Sequence, residues 1–78
     1  MDSRSQKAEL LVAEGRSFAN VAKNYEVSGR VEDAWVNYLK ASEKFTQAAL
    51  ESHSSDKELR FDLAKLFFRK GDGAERGY

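Results

Sequence analysis

The stretch "NYEVSGRVEDAWVNYLKAS", residues 24–42, holds a single glycine, Gly29, with helix-forming sequence on both sides. Glycine adopts the left-handed conformation that ends a helix without a Cβ penalty, so Gly29 reads as a stop. Glu32 and Asp33 follow at once and put negative charge in the first turn of a new helix, where its dipole favours it. A stop and a start meet at Ser28-Gly29-Arg30, and so short a connection makes the two helices antiparallel. Around the bend, large Tyr25 and Tyr38 alternate with small Ala34 and Ala41, which suits close packing of one helix on the other.

Upstream of the bend, Ser3 with Gln6 three positions on fits a capping box for a first helix over residues 4–27. Leu11, Phe18, Ala22 and Tyr25 then recur along one face, which also takes in Gly15. A mid-helix glycine is either a cost to the helix or a place of close approach, and close packing is the reading favoured here. Downstream, Val31, Ala34, Trp35, Tyr38, Ala41, Phe45, Ala48 and Ala49 make the stripe of a second helix over 31–52. Ser55 with Glu58 forms another capping box, opening a third helix over 56–70 that ends on cationic Arg69 and Lys70. Gly71-Asp72-Gly73 reads as its stop, with 71–78 a flexible tail.

The fold class is therefore all-α, an antiparallel three-helix bundle occupying residues 1–78 as one domain. A chain of 78 residues supports one core and sits near the size at which a core without staples becomes marginal. There is no proline and no cysteine, so disulfides and thiolate metal sites are excluded and the default location is cytoplasmic. Thirteen Lys+Arg balance thirteen Asp+Glu, and their interspersion offers no basic footprint for nucleic acid or an anionic membrane. The opening MDSRSQKAELL is polar and no apolar run reaches the length of a membrane span, so direct membrane insertion is not expected.

The residue types of catalysis do not converge. His53 is the one histidine and falls among serines in the second connection, where a solvated residue is the ordinary reading. Ser52, Ser54, Ser55 and Asp56 suit a loop with helix caps. Gly71 and Gly73 lack the lysine and hydroxyl of a phosphate loop. No enzyme activity, cofactor or metal is expected.

The third helix carries more apolar surface than one stripe needs. Leu59, Leu63, Leu66 and Phe67 lie on one side, Phe61, Ala64 and Phe68 on another. The surplus is either a wide core face or an exposed groove wall, and exposed apolar patches tend to be interaction sites.

The spacing Phe18, Val21-Ala22, Tyr25, Gly29, Ala34, Tyr38, Ala41 is similar to the helix pair of a tetratricopeptide repeat. A second copy about 34 residues on is not found: Leu59, Leu63 and Phe68 stand where Tyr25, Gly29 and Ala34 would be echoed. Over residues 5–52 the chain more closely resembles the MIT (microtubule-interacting and trafficking) family. There, too, a first helix ends at a glycine turn and a second begins with acids, an Ala, a Tyr and another Ala, as in Gly29, Glu32, Asp33, Ala34, Tyr38 and Ala41, with an aromatic such as Phe45 following. It departs from many members in meeting Gly71 and Gly73 where they continue into a charged, leucine-bearing turn.

The resemblance implies a module that binds short motifs in the C-terminal tails of ESCRT-III-type proteins, in endosomal sorting and membrane remodelling. It places one groove between the second and third helices at Leu59, Leu63 and Leu66 with Val36, Leu39 and Lys40. A second lies between the first and third helices at Phe61, Ala64 and Phe68. A helix laid in either groove would use apolar anchors at turn spacing, with Lys65, Arg69 and Lys70 meeting acids of the partner. A monomeric adaptor, cytoplasmic and recruited to endosomal membranes, is the implied role. The alternative is a tetratricopeptide-like or helical dimerisation scaffold, as in autophagy or a deubiquitinase complex.

Overall fold

The computed structural model describes residues 3–73, apart from the side chains of Arg4 and Ser54. They form α1 (Ser3–Val27), α2 (Val31–Leu50) and α3 (Ser54–Gly71). The central element is α2: α1 packs along one flank and α3 along another, while the α1 and α3 backbones approach each other less closely. The bundle measures 42 × 20 × 12 Å, its long axis set by the 25 residues of α1 at about 1.5 Å per residue.

The first connection folds as the sequence predicts. Gly29 has φ +83°, its N–H donates to Glu26 O at 3.1 Å and that of Arg30 to Tyr25 O at 2.9 Å. This pair of reversed bonds is a Schellman motif, which satisfies two carbonyls left open at the end of α1. The apolar contact that often accompanies the motif is replaced by the Arg30 guanidinium, 4.7 Å from the centre of the Tyr25 ring. Arg30 then reaches forward to Asp33 at 2.7 Å, joining the stop of one helix to the acidic start of the next.

Alternation of small and large residues on α2 builds the core. Ala34, Ala41, Ala48 and Ala49 are buried and let the neighbouring helices close in, while Phe45 is the largest fully buried side chain. Phe67 of α3 stacks on Phe45 at 5.5 Å and on Tyr38 at 5.9 Å, joining the two apolar clusters of the bundle. Tyr38 keeps a polar handle, its hydroxyl donating to Glu26 Oε1 at 3.0 Å. Close packing at Gly15 holds, and the neighbour is a ring rather than a helix backbone: a Cβ there would lie 3.0 Å from Phe45.

The helix ends differ in detail from the sequence reading. Ser3 lies inside α1 rather than capping it, and α2 stops at Leu50, two residues early. Ser55 lies in the first turn of α3, whose N-cap is His53. The His53 carbonyl accepts the first intrahelical bond from Lys57 N–H at 3.1 Å and a second from Asp56 N–H at 3.0 Å, which gives one otherwise open donor of the first turn a partner without a serine cap. Gly71 is the last helical residue of α3 rather than its stop, and Gly73 packs beside the Trp35 ring. The remainder of the expected tail, 74–78, lies outside the described residues.

Candidate functional site

Because α3 contacts mainly α2, it presents two flanks. Ala64, Phe67 and Gly71 face α2, one flank turns toward α1, and the other borders the far side of α2.

On the far flank a groove of about 320 Å³ runs between α2 and α3. Its floor is Ala64 and Ser42, both buried, and its walls are Phe61, Phe68 and Thr46. Thr46 turns its hydroxyl back to Ser42 O at 3.0 Å, so the groove loses a competing donor. Lys65 and Arg69 stand on the rim. A second depression, shared through Phe61 and Lys65, continues toward Lys57, Glu58 and Asp62. Charge is therefore graded along α3, mixed near Asp62 and cationic at Lys65 and Arg69.

On the other flank a groove of about 260 Å³ separates α1 from α3. Leu59 and Leu63 face Val12 and Ala13 across it. Leu63 is half-buried and packs on the core, whereas Leu59 is 63% exposed.

The two sides of α3 are separated as the sequence suggests, but their grooves are exchanged. Phe61, Ala64 and Phe68 line the α2/α3 groove, and Leu59 and Leu63 the α1/α3 groove. The reason is that Ala64 and Phe67 point at α2, which fixes the rotation of α3 and carries Phe61 and Phe68 to its far side. Leu39 packs against Gly71 at the end of the α2/α3 interface. Lys40 lies instead above Phe18, its ammonium 5.8 Å from the ring centre, on the α1 side of α2. Leu66 and Val36 are exposed.

Sequence reasoning missed Arg60. Its side chain is 14% exposed; Nη1 donates to the buried Ser52 hydroxyl, which itself donates to Ala48 O. Nη2 donates to Glu9 Oε1 at 2.9 Å, so one guanidinium ties α3 to α1 and to the connection that follows α2, which Ser52 in turn fastens to Ala48. Lys7–Glu51 at 3.3 Å and Ser5 Oγ with His53 Nε2 at 3.2 Å add links at the same end. His53, read as merely solvated, thus fastens the second connection to α1. An arginine at helical spacing from Leu63, Ala64 and Phe67 was the available signal, since a cation on an otherwise apolar helix face needs partners.

Among the described residues no three His, Asp or Glu side chains gather as metal ligands, and no helix is long and apolar enough to cross a membrane. Comparison with protein-family models, curated proteins and solved structures gave no match to this chain.

Proposed function

We propose that this chain is a peptide-docking adaptor of the MIT type, taking short acidic and apolar motifs from ESCRT-III-type C-terminal tails into the groove between α2 and α3. The observation that carries this reading is the pairing of an apolar trough, Phe61, Ala64 and Phe68, with a cationic rim, Lys65 and Arg69. Phe61 and Phe68 are two helical turns apart, so an amphipathic segment with apolar anchors at turn spacing fits between them. Its acidic residues would lie toward Lys65 and Arg69, because charge at the Asp62 end is mixed, with Glu58 and Asp62 beside Lys57. On this reading the module works in the cytoplasm and brings the protein that carries it to endosomal membranes, with no chemistry of its own.

The test is a titration of the isotope-labelled protein with acidic ESCRT-III tail peptides. Shifts at Phe61, Ala64 and Phe68 that saturate, and that Phe68→Asp abolishes, are expected. Phe68 is 53% exposed, so this variant should stay folded. A protein that forms a stable dimer through Phe68 and gives no peptide response would sink the adaptor reading and favour a dimerisation scaffold.

A further inference from the structure

Ala64, Phe67 and Gly71 form the stripe of α3 that faces α2, and one turn earlier the same stripe begins at Arg60. The seating of α3 is therefore of two kinds. Toward its C-terminal end it is steric, with Phe67 stacked on Phe45 and Tyr38 and Gly71 drawn in against Leu39. Toward its N-terminal end the described core takes no apolar residue of α3 before Leu63, and the Arg60 guanidinium stands in that place. Nη1 is held by Ser52, which is 6% exposed and is itself bonded to Ala48 O, and Nη2 by Glu9. Packed rings and methyl groups tolerate sliding, whereas bonds from a planar fork have a direction.

We propose that Arg60 is a positioning residue for the α2/α3 groove: it does not line that groove, but sets the distance of its Phe61 wall from α2 through a clamp closed on the opposite flank of α3. Phe61 follows Arg60 directly in the chain and walls the groove, as does Phe68 beside Phe67. Each wall thus takes its place from a different kind of seat, Phe61 from the polar clamp and Phe68 from the steric end. Without the clamp α3 tilts about its Gly71 end, and the Phe61 wall moves while the Phe68 wall stays. A segment that needs both anchors then meets a groove of the wrong width at one of them. Glu9 gives α1 a share in this control, because its carboxylate closes the front of the clamp. The consequence for binding rests on the docking reading of that groove; the placement of α3 does not.

Arg60→Met keeps the length of the side chain and removes the fork. Ser52 retains its bond to Ala48 O and the exposed Glu9 turns to water, so the variant should stay folded. Residual dipolar couplings of the free protein should show α1 and α2 in their common orientation and α3 tilted in Arg60→Met. The tilt should be smaller in Arg60→Lys, which keeps the charge without the fork. The probe for binding is an acidic amphipathic peptide with apolar residues two turns apart, the spacing of Phe61 and Phe68. Its affinity should fall about two- to thirtyfold in Arg60→Met, the range for residues that act on a site without touching its ligand. Gly29→Ala, which strains the turn at the far end of the bundle, is the control: it should lower stability yet leave the orientation of α3 and the affinity close to those of the unaltered protein. An α3 that keeps its orientation in Arg60→Met, or an affinity lost equally in both variants, would overturn the proposal. If the unaltered protein takes no such peptide, the docking reading fails and the couplings alone decide the role of Arg60.

Discussion

Gly71 at the end of α3 lies so close to Leu39 of α2 that a Cβ on it would come 2.8 Å from the Leu39 backbone nitrogen and 2.7 Å from its Cγ. Backbone cannot yield as a flexible side-chain tip can, so any larger residue must push the end of α3 outward. Gly71→Ala should therefore lower stability by about 1–3 kcal/mol from overpacking, against the gain of up to about 1 kcal/mol that alanine brings to a helix interior. A lower urea midpoint at unchanged slope is the expected result, and a higher midpoint would show that the contact is soft.

Gly29 presents the opposite case. Nothing lies within 4 Å of a Cβ built there, and only its φ of +83° resists substitution. Gly29→Ala should cost about 1–2 kcal/mol through left-handed strain alone, which lowers the melting temperature of a domain this size by several degrees. Gly29→Asn should cost less, because asparagine tolerates that conformation better. Equal losses for the two would point to a packing effect the geometry does not contain.

These two glycines explain what the sequence made legible. Gly29 was readable because its cause is local: a stop, a short link and an acidic start are neighbours in the chain. Gly71 was readable only in part: α3 ends in Gly71-Asp72-Gly73 as expected, but the close contact that calls for glycine at 71 is with Leu39, far away in sequence. The stripe of α2 was equally plain, since its apolar residues recur at helical spacing along one face. The two sides of α3 were separable, but not their grooves, because rotation of α3 is set by Phe67 stacking on Phe45 and Tyr38. Arg60 stayed hidden for the same reason, its partners Ser52 and Glu9 being brought to it only by the packed fold.

Phe45 is 1% exposed and touches both Gly15 and Phe67. Phe45→Ala should cost about 3–5 kcal/mol, a large part of the total available to so small a domain, and the far-UV signal should show a largely unfolded chain on mild warming. Phe67→Ala removes two stacked contacts from a residue that is only half-buried. It should be milder and selective, with amide hydrogen exchange rising in α3 before α1. Uniform loosening of all three helices would mean that α3 does not move as a separate unit.

The choice of variant matters for testing the α2/α3 groove. Leu63→Asp puts a carboxylate against the core and would confuse loss of binding with loss of fold. Lys65 and Arg69 are exposed rim residues, so Lys65→Glu with Arg69→Glu should leave the melting temperature nearly unchanged. Two attractions toward an acidic peptide become two repulsions, and affinity at low salt should fall about tenfold or more, with a large part of the loss in the association rate. Raising the salt shortens the screening length from about 10 Å at 0.1 M to about 3 Å at 1 M, so the difference from the unaltered protein should shrink as salt rises. Isothermal titration of both proteins across that range checks it. A difference that persists at high salt would place the two residues in direct buried contact with the peptide rather than on the rim, and no difference at any salt would remove the cationic rim from recognition.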